Sequence, residues 1–324
     1  MLLSVLLIAA CGNQSKEDVM KDLSNKWGSV NGYELDATME IKTGSEPRIY
    51  DVNVWHTKPD FYRVKVTQQG EDVTQMIVRN KEGVFVVTPS LRKTYKFQSE
   101  WPKQNSQPYL IGALGEDLLA DQNVTMEEDD NNYIFKAATR NNHKSVMPSQ
   151  VITVDKKTKL PKTVSVLNEA GEEQIRITFS KVDLGTQHKE EEFATDKFTE
   201  QNNSTTGSVD QEQFQVYYPL LQWEGTILAE EQKVVEDGIE RVILTFSGEK
   251  GFTLMEQPIV YDEESTVPVF APGDPADLGF TIGAITDNSI SWEQNGVSFF
   301  LATNNLTREE MIEVASSVIP GGLK

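Results

Sequence analysis

From Tyr33 onward the apolar residues fall at every second position, and turn residues interrupt the pattern at short intervals. A period of two puts successive side chains on opposite faces of a strand, so this stretch admits little besides an antiparallel sheet with one apolar and one wet face. Tyr33, Leu35, Ala37, Met39 and Ile41 alternate with polar residues, and a Gly44-Ser45-Glu46-Pro47 turn leads to Tyr50, Val52 and Val54. Lys58-Pro59-Asp60 makes the next turn, followed by Tyr62, Val64 and Val66, with further turns at Gln69-Gly70-Glu71 and Asn80-Lys81-Glu82-Gly83. The rhythm breaks over 106–121, where Tyr109, Leu110, Ala113, Leu114, Leu118 and Leu119 predict a helix despite Gly112 and Gly115. Strands are predicted to resume at 132–139, 149–155, 162–168 and 174–183. Ahead of the meander, Val19, Leu23, Trp27 and Val30 recur at helical spacing behind a cap at Ser15 and Asp18, predicting an amphipathic helix over 16–30.

The first eleven residues are of another kind. Met1–Ala10 is an apolar run ending in Ile8-Ala9-Ala10, and Cys11, the single cysteine, follows at once. The run is too short to span a bilayer, which takes about 20 residues, and has the length of a signal-peptide core. Small residues before a cysteine resemble a bacterial lipobox, with Ile8, Ala9 and Ala10 in the peptidase cleft and a diacylglycerol carried covalently on Cys11. No Lys or Arg precedes the run, which departs from the usual leader; the alternative is a buried N-terminal strand with an incidental cysteine. The lipobox reading places the mature chain on the outer face of a bacterial cell membrane, held by lipid. A polar tether, Gly12-Asn13-Gln14-Ser15, comes next.

Charge divides the chain. Residues 1–200 carry 25 Lys and Arg against 30 Asp and Glu, and residues 201–324 carry 5 against 20. That argues against nucleic acid, whose phosphates need a basic footprint, and against electrostatic attraction to anionic lipid. The acidic half either faces a basic partner or only stays soluble. A polar run, Gln201-Asn202-Asn203-Ser204-Thr205-Thr206-Gly207-Ser208, lies between the halves. The expected organisation is a signal segment at 1–11, a first domain at 12–195, a linker at 196–213 and a smaller acidic α+β domain at 214–320. In the latter, strands are predicted at 226–229, 239–246 and 252–256 and a tight hairpin at Asn295-Gly296. Thr307 should cap a terminal helix with Met311, Val314, Ala315 and Val318 on its apolar face.

Catalytic patterns are scarce. His56 falls in a predicted strand, His143 and His188 lie in charged surroundings, and none has zinc-ligand spacing. With Cys11 assigned to lipid no thiol nucleophile remains, and no G-x-S-x-G, P-loop or dinucleotide fingerprint is present. The acidic run Glu127-Glu128-Asp129-Asp130 lacks the glycine and final glutamate of a calcium loop. The expectation is a non-enzymatic protein without metal or further cofactor.

Several pieces together resemble the LolA/LolB lipoprotein-carrier superfamily over the first 195 residues: the N-terminal helix feeding a meander, Lys58-Pro59-Asp60-Phe61-Tyr62-Arg63-Val64, the hairpin Val154–Lys162, and the closing strand Ile175–Val182. More narrowly, Lys96-Phe97-Gln98-Ser99-Glu100-Trp101-Pro102 and the ending Thr307–Ser317 resemble two-domain lipoproteins of spore-forming Gram-positive bacteria. The resemblance implies an antiparallel half-barrel with helices on its concave face, followed by a smaller α+β unit of unknown function. It implies a cavity wall formed by Leu35, Val52, Val54, Tyr62, Val64, Met76 and Val78, although cavity and core use the same residue types. It also implies support of envelope or spore cortex assembly through a protein partner, such as a cell-wall-modifying enzyme. The alternative is a carrier or stress sensor that holds an acyl chain or lipoprotein in the cavity.

Overall fold

The structure, a computed structural model, describes residues 14–42, 47–70, 74–89, 93–97, 101, 107–140, 144, 146–196, 215–221, 223–236, 238–259 and 268–321. Cys11 with its preceding apolar run, the turn at 44–46, His143 and nearly all of the expected linker lie outside the described residues.

Helix α1 (Lys16–Ser29) begins where Ser15 Oγ accepts the Asp18 N–H at 3.1 Å, which satisfies an otherwise orphaned amide. Val19, Met20, Leu23 and Trp27 form its buried stripe. A first meander follows: β1 (Gly32–Ile41), β2 (Arg48–Thr57), β3 (Phe61–Gln68), β4 (Thr74–Asn80), β5 (Gly83–Thr88) and β6 (Lys93–Phe97). Helix α2 (Ile111–Ala120) starts later than the sequence pattern predicts, because Leu110 is extended and serves as its N-cap. Its Gly115 lies against α1: a methyl group there would meet Ser24 Cα and Trp27 Cε3 at 3.4 Å. A second meander comprises β7 (Thr125–Glu128), β8 (Asn132–Ala138), β9 (Ser149–Asp155), β10 (Pro161–Leu167) and β11 (Glu173–Leu184). β11 returns to pair antiparallel with β1, Leu35 opposite Val182 and Met39 opposite Ile177. The two meanders thereby fuse into one open sheet, with the two helices packed on its concave face. This is the α+β half-barrel architecture expected from the resemblance.

The remaining strands are β12 (Tyr217–Pro219), β13 (Ile227–Glu236), β14 (Ile239–Ser247), β15 (Phe252–Pro258), β16 (Val269–Phe270), β17 (Asp274–Asp277), β18 (Ile282–Ile285), β19 (Ser289–Gln294), β20 (Val297–Ala302) and, after helix α3 (Arg308–Ser316), β21 (Val318–Pro320). A seven-stranded sheet runs in the order β13-β14-β15-β20-β19-β18-β17. Asn295 and Gly296, with φ of 50° and 74°, make the tight turn that their sequence predicts. Thr307 and Glu310 cap α3 reciprocally: Thr307 Oγ1 accepts the Glu310 N–H at 3.2 Å, and Glu310 Oε2 accepts the Thr307 N–H at 2.9 Å.

The two large sheets share one apolar cluster, in which Leu35, Val54 and Ile177 are joined to Leu244, Trp292 and Leu301. β16, which lies in sequence between strands of the seven-stranded sheet, pairs in parallel with β6 and becomes the edge of the twelve-stranded sheet. Polar contacts tie the same seam. Tyr95 Oη donates to Glu293 Oε1 at 2.8 Å, with Lys93 Nζ 3.1 Å from the same oxygen. Gln75 Oε1 accepts from Thr281 Oγ1 at 2.8 Å and from the Ile282 N–H at 3.0 Å.

Candidate functional site

Alternation on β1 to β3 sends Leu35, Val52, Val54 and Val64 to the concave side of the sheet, and register brings them together: Leu35 opposite Val54, Val54 opposite Val64, Val52 opposite Val66. Leu35, Val54 and Val64 are fully buried and Val52 nearly so. Val19, Leu23 and Trp27 of α1, Leu114 and Leu118 of α2, and the buried Trp101 belong to the same cluster. Tyr62 is half-buried on this face, where its ring stacks on His56 at 4.3 Å and meets Trp101 edge-on at 6.0 Å. His56 is itself buried, with Nδ1 3.1 Å from the Phe61 carbonyl, and burial lowers its pKa. These five residues of the expected cavity wall are therefore the floor of a packed core.

Met76 and Val78 are corrected. Register sets Ile77 opposite Val64 and leaves Met76 and Val78 opposite Lys65 and Arg63, on the convex side. There they join Phe61, Phe85, Val87 and Phe193 in a second, smaller cluster. Met76-Ile77-Val78 is apolar at three consecutive positions because β4 is covered on both faces, so alternation alone could not tell which of the three points inward. A 3-10 turn at Glu190–Phe193 makes the convex cover.

That convex layer holds aromatic contacts the sequence did not disclose. The His188 ring stacks on Trp55 with centroids 3.8 Å apart and planes at 8°, and the Arg63 guanidinium lies over the Trp55 ring at 3.6 Å. Burial lowers the Arg63 pKa to about 10, against the pull of Glu34 and Asp36. His188 also approaches Glu34 at 3.5 Å and Glu192 at 3.7 Å. It is thus packed rather than solvated, which its charged sequence neighbours did not suggest. The acidic run near Asp129 is an exposed strand end and turn, with Asp129 Oδ1 accepting the Asn131 and Asn132 N–H groups at 2.8 and 2.7 Å. Among the described residues no group of three or more His, Cys, Asp and Glu stands close enough to hold a metal.

An apolar opening lies at the rim of the concave face, where the first sheet meets the second unit. A cleft of about 370 Å³ is lined by Ile41 and Ile175 from β1 and β11, Met147 from the loop before β9, Leu220 and Leu221 after β12, and Leu278 after β17. Gly279, at φ 85°, forms part of the wall. One flank is charged. Lys42 Nζ lies 2.8 Å from Glu173 Oε1, and although burial would raise the Glu173 pKa, hydrogen bonds from Arg176, Lys42 and Ser165 hold it at about 2. Helix α3 and its C-cap add Glu313, Ser316 and Ser317 to the wall, and the apolar part of the lining accepts an apolar side chain or a short length of acyl chain. Sequence reasoning missed the cleft because its walls come from separate segments spread from β1 to α3 and neither sheet's alternation marks the junction.

Comparison with known proteins gives the following. A family model described as sporulation protein YdcC-like matches residues 1–193. Sporulation protein YdcC of Bacillus subtilis is 36% identical over 324 residues, covering 98% of this chain and 94% of that protein. Among solved structures, the MucA/MucB complex of Pseudomonas aeruginosa aligns over 95% of this chain and 99% of the matched chain, with 14% identity and a TM-score of 0.34. A LolA superfamily protein of Nitrosomonas europaea aligns over 57% of this chain and 100% of its own, with 9% identity and a TM-score of 0.33.

Proposed function

Because this chain belongs to the sporulation protein YdcC-like family, we propose that it is a non-enzymatic lipoprotein that binds a protein partner during envelope or spore assembly. In this reading Cys11 carries a diacylglycerol that holds the mature chain on the outer face of the cell membrane. No helix among the described residues is long and apolar enough to cross a membrane. The observation that carries the partner-binding reading is the filled concave face: Leu35, Val54 and Val64, at 0% exposure, pack against the protein's own helices and leave binding to the outer surfaces.

The test is crosslinking of the full chain in sporulating cells, with Cys11→Ala beside it. A discrete envelope-protein adduct, with wild type in the membrane fraction and the variant released, is the expected result. Release of product from purified cell wall by the chain alone would overturn the non-enzymatic reading.

The apolar rim cleft favours a second reading, a receptor that takes up one acyl chain. Native mass spectrometry of gently purified protein decides between them. A bare polypeptide mass supports partner binding, and a co-purifying acyl mass supports the receptor.

A further inference from the structure

A sheet edge exposes a row of unpaired N–H and C=O groups, and proteins ordinarily shorten or cover it. Three of the four edges of the two large sheets obey this among the described residues. β7 has four residues, β16 has two and lies over β6, and β17 has four, of which Pro275, Ala276 and Asp277 are buried. β13 does not. It has ten residues, pairs among the described residues on one side only, with β14, and all its residues except Leu228 are exposed.

Its side chains are specific in kind. Ile227, Val234 and Val235 are 64%, 40% and 69% exposed, although aliphatic. The cations of the β13–β14 hairpin are taken up within it: Lys233 Nζ lies 3.4 Å from Glu240, and Arg241 engages Glu236. Among the described residues Glu230 accepts from a neutral amide, Gln232 Nε2 at 2.6 Å, and Glu231 from a neutral phenol, Tyr218 Oη at 2.8 Å. Two adjacent carboxylates on this edge thus have no cation paired with them among the described residues, and two residues separate them from an exposed aliphatic pair.

We propose that β13 is a docking edge at which an extended, basic segment of a protein partner adds an eighth strand to the seven-stranded sheet. Main-chain hydrogen bonds supply the attachment, and directly opposed side chains supply selection. The partner segment carries two consecutive Lys or Arg opposite Glu230 and Glu231 and two consecutive aliphatic residues opposite Val234 and Val235, with two residues between. A second copy of β13, with Glu230, Glu231 and Glu236 against Lys233, would bring a strand of net negative charge to an acidic edge, so a basic segment is the better complement. The proposal rests on the partner-binding reading above and names the surface and the chemistry of the partner.

The probe is a fluorescent peptide of sequence TVVTTKKT, with TVVTTEET as control, titrated into the full chain by anisotropy. Binding of the lysine peptide alone is expected, weakened about tenfold or more by Glu230→Lys/Glu231→Lys, with the double variant now preferring the glutamate peptide. The single exposed change Glu230→Gln should weaken binding several-fold and serves if the double variant misfolds. Hydrogen exchange must show new protection at 227–236 on binding, which charge adhesion without strand pairing would not give. No binding, or binding without that protection, overturns the proposal. So does concentration-dependent protection of β13 in protein alone, which would assign the edge to self-association. If a partner crosslinks in cells but Glu230→Lys/Glu231→Lys leaves its capture unchanged, the function stands and this surface assignment falls.

Discussion

Gln107 Nε2 donates to Asp277 Oδ2 across 2.8 Å, joining two buried side chains from opposite sides of the seam between the sheets. Burial raises the Asp277 pKa from 3.8 to about 6, opposed by the Gly279 N–H, which donates to Oδ1 at 2.8 Å. Below pH 3.8 folded and unfolded chains both hold the proton, and the contribution of Asp277 to stability is complete. As pH rises toward 6 the unfolded chain ionises first, and the fold loses on the order of 3 kcal/mol in total. Denaturant unfolding of wild type and Asp277→Asn at pH 4.5 and pH 7.5 checks this. The variant should be the more stable of the two at pH 7.5 and lose much of that advantage at pH 4.5; an unchanged difference would mean that Asp277 is ionised throughout.

Glu256 shows the same sign in a stronger form. It is fully buried beneath β12, where Oε2 accepts the Tyr217 N–H at 2.9 Å. Burial raises its pKa to about 8, the Tyr217 bond lowering it and Glu231 raising it further. The fold therefore keeps a proton that the unfolded chain releases near pH 4.5, and stability drains away between those values. Glu256→Gln retains an acceptor for Tyr217 and removes the titration. It should raise stability at pH 8 by a few kcal/mol and leave it nearly unchanged at pH 4. Paired denaturation curves at the two pH values are the measurement.

The contrast between β1 and β13 shows what the sequence could disclose. β1 is buried on one face and half-open on the other, so its period of two is plain and its register follows. β13 is exposed on both faces, burial imposes no pattern on Ala229-Glu230-Glu231-Gln232-Lys233, and the predicted strand stopped at 229 where the real one runs to Glu236. Met76 and Val78 fail for the opposite reason, since β4 is buried on both faces. The caps at Ser15 and Thr307 were legible because each depends on residues three apart. The rim cleft and the Trp55–His188 stack join residues more than a hundred positions apart, which local spacing cannot express.

Phe193 anchors the convex cover. Its ring is fully buried, 5.4 Å from Phe61 and 6.5 Å from Trp55, and its carbonyl accepts from Asn80 Nδ2 at 3.1 Å. Phe193→Ala opens a cavity that only the short 3-10 turn could close, and should cost about 3–5 kcal/mol in urea unfolding. His188→Ala, which removes one stacked ring from a packed but shallower position, should cost about 1 kcal/mol. Equal effects at the two sites would show that the turn moves as a unit and that Phe193 is no separate anchor.

The filled concave face and the open rim cleft make opposite predictions for the same substitution. Val64 has no exposed surface, so Val64→Trp forces a larger ring into a closed core and should destabilise the protein by about 1–3 kcal/mol or prevent folding. Met147 is half-buried on the cleft wall, and Met147→Trp has open volume to enter. Its thermal midpoint should stay within a few degrees of wild type. If the cleft takes an acyl chain, Met147→Trp should abolish uptake of a fluorescent fatty acid while the fold persists. Normal stability for Val64→Trp would mean that the concave face has a void after all, and would return the binding site to the interior of the half-barrel.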